Sequence, residues 1–159
     1  MSDRNVRFGA DLHLLPNLER IKSNRDPGND LATRKRPETQ RPGAPLVDLD
    51  TLSDADNLVQ ALLLRFLTSQ GDLALLGHPN YGSRLHELIG ELNTETTRNR
   101  AKLFTLQALA DEPRLAKVLS LRATTSRKNP TQIDIDMRLL AIDSDTPLNL
   151  VFPFFLEAV

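Results

Sequence analysis

The sequence predicts an α+β chain: an extended N-terminal arm, then about three helices, then a small antiparallel sheet of about three strands. Three observations carry this. Five of the ten prolines fall in residues 1–47. Apolar residues from Leu58 to Ala110 recur at helical spacing. From Leu119 onward the period switches to two. The 159 residues suit one compact domain with an appended arm, and 40% hydrophobic with 26% charged residues supports a buried core.

The arm, residues 1–47, holds Pro16, Pro27, Pro37, Pro42 and Pro45, with nine Lys/Arg against six Asp/Glu, a net +3. The domain, residues 48–159, holds eleven against fifteen, a net −4. The arm has little apolar periodicity of its own, so it is expected to order only in an assembly. Its apolar island from Phe8 to Ile21, with Leu12, Leu14, Leu15 and Leu18, is the segment expected to grip a partner. Deleting residues 1–47 is expected to leave the domain folded but to weaken its incorporation into an assembly.

Ser53 and Asp56 resemble a capping box before the first helix. Leu58, Val59, Leu62, Leu63, Phe66 and Leu67 form its apolar stripe, and Gly71 supplies a left-handed stop. A loop from Gly77 to Gly82 follows, with Pro79 and Tyr81 between the glycines. Gly82 is expected to need an unusual backbone conformation. Ser83 is placed to cap a second helix carrying Leu85, Leu88, Ile89 and Leu92. A third helix is read from about Thr94 to Ala110, with Leu103, Leu106 and Ala110 inward and Arg98, Arg100 and Lys102 outward. Pro113 ends it. Leu119, Leu121 and Ala123 then alternate with polar neighbours. Ile133 to Ala141 alternates strictly, and Leu148 to Leu156 forms a strand whose Pro153 confines it to an edge or bulge.

Several chemistries find no template. The chain has no cysteine, which excludes disulfides, thiolate catalysis and Cys-ligated zinc. No apolar run approaches the roughly 20 residues that span a bilayer, and no secretory signal pattern opens the chain. The net charge of −1 gives no argument for nucleic acid. His86-Glu87-Leu88-Ile89-Gly90 begins like a zinc-protease motif but has Gly90 where the second histidine belongs. No phosphate-binding glycine loop or nucleophile elbow occurs. Glu87 and Glu91 lie one helical turn apart, not across a cleft as glycoside hydrolysis requires. No cofactor and no metal are therefore expected.

The stretch Leu67-Thr68-Ser69-Gln70-Gly71-Asp72, leading into Leu76-Gly77-His78-Pro79-Asn80-Tyr81-Gly82-Ser83-Arg84-Leu85, resembles the core of the small lysozyme-like family of phage baseplate wedge proteins. That family includes baseplate subunits of type VI secretion systems and extracellular contractile injection systems. Glu112-Pro113-Arg114 looks like the family's Glu-Pro-Arg signature, and the resemblance covers about residues 55–157. It implies a structural, non-enzymatic subunit that docks the first sheath ring and other wedge proteins, with the tail tube or hub as a further neighbour. It also implies six copies per particle. The expected location is the cytoplasm during assembly, then a phage tail or injection particle. Glu112, Pro113, Arg114, Phe152, Phe154 and Phe155 are the expected partner-binding residues; Gly77, Pro79, Tyr81, Gly82 and Ser83 form the structural loop. The alternatives are a peptidoglycan hydrolase using Glu87 or Glu112, and a small regulatory protein-binding domain on the same fold.

Overall fold

A computed structural model describes residues 8–14, 32–35, 47–142 and 144–157. Leu15, Leu18, Ile21 and the five arm prolines lie outside these residues. Two compact units divide the chain, residues 1–60 and 61–159.

The expected architecture of arm, three helices and one sheet is overturned. Among the described residues there are two α-helices and seven strands in three sheets. The strands are β1 (Ala10–Leu12), β2 (Thr33–Lys35), β3 (Val47–Leu49), β4 (Thr51–Ser53), β5 (Leu115–Thr125), β6 (Gln132–Ala141) and β7 (Leu148–Phe155). The helices are α1 (Asp54–Leu67) and α2 (Glu95–Ala110).

In the first unit, β1 pairs antiparallel with β4, and β2 with β3. Three backbone bonds through His13, Ala32 and Asp50 link the pairs: His13 N–H to Asp50 O, Ala32 N–H to His13 O, and Asp50 N–H to Ala32 O, each 2.9 Å. The described part of the arm is thus paired backbone, because two short strands from residues 1–47 find partners just before α1. Its attachment to the start of α1 is polar. Gln60 is buried; its amide donates to Leu12 O and accepts from Leu14 N–H, at 2.7 and 2.8 Å. Asn57, also buried, donates to Phe8 O at 2.7 Å. Cutting away residues 1–47 removes these three hydrogen bonds, each worth about 0.5–1.5 kcal/mol. The truncated domain is therefore expected to lose some stability as well. Gln60→Ala should lower stability by about 1–2 kcal/mol and speed amide exchange at Leu14, measured by a denaturant melt and by hydrogen exchange.

Helix α1 follows β4 directly through Asp54, whose φ of 55° is one aspartate tolerates. Leu58, Leu62, Leu63 and Phe66 are buried at the expected spacing, while Leu67 is exposed.

In the second unit the expected middle helix is only a 3-10 turn, Leu85–Leu88. It buries Leu85 and Leu88 but leaves Ile89 and Leu92 exposed. Gly90 takes a left-handed φ of 90°, and its N–H goes to Leu156 O at 2.6 Å, so the helical ladder cannot continue. Helix α2 starts from Thr94, whose hydroxyl accepts from Thr97 N–H at 3.2 Å. Its buried face is Ala101, Phe104, Thr105, Ala108 and Leu109; Leu103, Leu106 and Ala110 face outward, opposite to expectation. Phe104 settles the orientation: it is buried, and the guanidinium carbons of Arg84 and Arg100 lie 4.5 and 5.6 Å from its ring centre.

Strands β5, β6 and β7 form one antiparallel sheet in that order. Ile133, Ile135, Met137 and Leu139 supply its fully buried central row. The register of β5 shifts between Leu115 and Lys117 and between Val118 and Ser120. Leu119 sits in the second irregularity and is exposed, while Val118 takes the core-side position opposite Leu139.

Candidate docking site

The Glu-Pro-Arg triplet is the turn between α2 and β5. Glu112 N–H donates to Leu109 O at 3.1 Å, and Leu115 N–H to Glu112 O at 3.1 Å. This turn folds the Glu112 side chain inward, so its residue is only 5% exposed, while Pro113 faces out and Arg114 is half-buried. Arg114 grips the carboxylate with a fork, Nε to Oε1 at 2.6 Å and Nη2 to Oε2 at 3.1 Å. Its backbone N–H adds a third bond at 3.3 Å. From α1, Arg65 brings Nη2 to 3.6 Å from Oε2. The Arg65 guanidinium stacks 4.7 Å from the Tyr81 ring centre, and its buried Nε has no hydrogen-bond partner among the described residues.

Two cations thus share one buried anion. Burial works against ionising Glu112, but the Arg114 hydrogen bonds and charge, aided by Arg65, hold its pKa below the usual carboxylate value. Arg114 is correspondingly raised by its bond to Glu112. Within the triplet, Glu112 is an internal anchor; Pro113 and the outer edge of Arg114 are the parts a partner could touch.

The loop before it is anchored by a parallel bridge between Ser69 and Ser83. Ser83 N–H donates to Thr68 O at 2.9 Å, Gln70 N–H to Ser83 O at 3.0 Å, and the buried Ser83 hydroxyl to Phe66 O at 2.9 Å. Ser83 therefore serves as a buried tie more than a helix cap. Tyr81 is the platform for Arg65, Gly77 ends a 3-10 turn at Ala74–Leu76 with φ 86°, and Pro79 is exposed. Leu75 and Leu76 at the tip are largely exposed.

On β7, Phe152 and Phe154 are buried, and Phe152 packs against Phe66 with ring centres 5.4 Å apart and planes tilted by 46°. Both side chains thus belong to the core of this chain. Phe155 is half-buried on the other face, in the row with Val151 and Pro153. What β7 presents outward is its backbone. Leu156 N–H bonds Thr131 O at 3.0 Å, which fixes the ladder phase: the even positions of β7 face β6, and Asn149 and Val151 point to the other side, where no strand pairs among the described residues. Pro153 falls on that odd phase, where its missing N–H leaves no gap in the ladder.

The carboxylates of the hydrolase alternative are all engaged. Glu87 is tied to Arg84 at 2.6 Å, which holds its pKa low. Glu91 pairs with Arg100, and Glu112 with Arg114 and Arg65. A cleft of about 180 Å³ between Gln70, Arg84, Phe104 and Asp111 has one carboxylate in its lining, Asp111. Among the described residues, no cluster of His, Asp and Glu has the makings of a metal site, and no helix is long and apolar enough to cross a membrane.

No protein-family model matches the sequence. No curated protein matches it either. Among solved structures, the fold is similar to that of a "putative tail lysozyme" from Geobacter sulfurreducens, with a TM-score of 0.58 and 24% identity over 67% of this chain and 96% of that one.

Proposed function

We propose that this chain is a structural, non-catalytic baseplate subunit of a contractile tail, whose last strand offers its edge to a strand of the first sheath ring. The observation that carries this reading is the likeness to a protein described as a tail lysozyme, spanning nearly all of that chain. The open β7 edge supplies the means, since an incoming strand gains affinity from main-chain bonds. The Glu-Pro-Arg turn and the arm then engage neighbouring wedge proteins and, through them, the tube or hub. Six copies per particle and cytoplasmic assembly follow from the same reading. A structural role suits the charge arrangement as well. A glycosidase needs a general acid with a raised pKa beside a second carboxylate, whereas Glu87 and Glu112 are both held ionised by arginine.

Val151→Pro tests the edge. Its N–H points away from β6, so the change removes an outward donor and no ladder bond. Particles made with this variant are expected to carry a baseplate but little or no extended sheath in electron micrographs, with a melting temperature close to that of the parent. Full-length sheath on these particles would refute the edge. Clearing of a cell-wall zymogram by the purified parent protein would refute the non-catalytic role.

A further inference from the structure

The opposite edge of the same sheet has a different chemistry. Ser126 N–H bonds Gln132 O at 2.9 Å, which sets the phase of β5: its even positions face β6, and Leu121 and Ala123 turn their N–H and C=O groups outward. Those groups make no backbone hydrogen bond among the described residues. The two irregularities in β5 lie before Ser120, so the stretch from Ser120 to Thr125 is a regular edge with no partner strand among the described residues.

The side chains along it are not mixed. Residues 115–128 contain Lys117, Arg122, Arg127 and Lys128 and no acidic residue. Arg122 stands opposite Asp136 of β6 yet forms no ion pair within 4.0 Å among the described residues, nor do Lys117 and Lys102. Helix α2 flanks this strand: Arg98, near its start, donates to the Thr125 hydroxyl at 3.2 Å, and its end leads through the Glu-Pro-Arg turn back into β5. That helix leaves Leu103 and Leu106 exposed, at 51% and 42%.

We infer that the β5 edge is a second strand-acceptor, for a partner segment that alternates apolar and acidic residues. The alternation follows from the pleat. A residue paired with Leu121 or Ala123 lies on the core face, the side of the sheet on which Ile133 and Ile135 are buried, and gains by being apolar. A residue paired with Arg122 lies on the other face and gains by being acidic. Cations and bulges on an edge also serve to ward off chance pairing. Here the bulges lie before Ser120, so from Ser120 to Thr125 the backbone keeps the regular spacing a strand needs. This surface is separate from the β7 edge and stands whether or not the particle is a tail.

The test uses the full chain with a capped peptide of about eight residues alternating valine and glutamate, and a counterpart with lysine in place of glutamate. Hydrogen exchange followed by NMR is expected to show the acidic peptide protecting the Leu121 and Ala123 amides, with the lysine peptide binding about tenfold more weakly or worse. Arg122→Glu, an exposed change, should invert that preference. Ala123→Pro removes an outward donor and should abolish protection at Leu121. The inference fails if the two peptides bind alike, if Leu121 and Ala123 stay unprotected, or if protection appears at Asn149 and Val151 instead.

Discussion

Gly82→Val is expected to cost about 3 kcal/mol or more and to lower the melting temperature by roughly 10 °C. Gly82 has a φ of 107°, where a side chain is strained whatever the space around it. Here there is no space: a Cβ would meet Thr68 O at 2.7 Å and Ser69 C and O at 2.8 Å, all backbone atoms. Those atoms cannot swing aside, because Thr68 O accepts the Ser83 N–H and Ser69 forms the bridge to Ser83. Any substituent must therefore break the tie between the end of α1 and the loop. Gly77 and Gly71 give the control. Both have positive φ, but a Cβ at either meets nothing within 4 Å. Gly77→Ala should cost only the backbone strain, about 1 kcal/mol. Equal losses at Gly82 and Gly77 in a denaturant melt would show that conformation alone matters and that the close approach does not.

That loop illustrates what was legible in the residues. A glycine pair around a proline and an aromatic announced a tight turn with an unusual backbone, and Gly82 has one. The stripe from Leu58 to Phe66 was legible because it repeats over more than two turns. The middle helix was not, because Leu85, Leu88, Ile89 and Leu92 have helical spacing while Gly90 is spent on a bond to Leu156, a contact fixed only by the tertiary fold. The face of α2 was misread for a related reason: its inner side mixes Phe104 and Leu109 with the small residues Ala101, Thr105 and Ala108, so the outward Leu103 and Leu106 looked like the core. The pairing of β1 with β4 joins residues some 40 apart through three-residue strands, which carry no periodicity to detect. In the candidate site, the Glu-Pro-Arg turn was visible as a break in period. The third member, Arg65, was hidden on an apolar helix face. Its signal was a lone cation between Leu63 and Phe66, where a helix buries its surface.

Glu112→Ala is expected to be the most damaging change in that cluster, at about 3–5 kcal/mol, because it strands Arg65 as a buried cation with no anion. Arg65 is 8% exposed and already lacks a partner for Nε, so it has no alternative to Glu112 among the described residues. Arg114→Ala should cost less, about 1–2 kcal/mol, since Arg65 remains to compensate the carboxylate and can draw closer than its present 3.6 Å. This asymmetry separates an internal brace from a docking contact. If Arg114 only braces Glu112, the loss of sheath in Arg114→Ala particles will follow the loss of stability, and a stabilising change elsewhere will restore both. If its outer edge also receives a partner carboxylate, sheath will be lost from particles whose subunit still melts near the parent temperature. Arg114→Lys will then not rescue it, because an ammonium cannot reproduce the fork. Acid titration gives an independent reading. The pKa of Glu112 is lower in the folded chain than its unfolded value near 4.3, so its contribution is complete above that pH and is lost as the pH falls through the folded value. Glu112→Gln should flatten this acid-side decline. A mutant whose stability falls as steeply with acid as the parent's would show that the carboxylate is not held ionised by its two arginines.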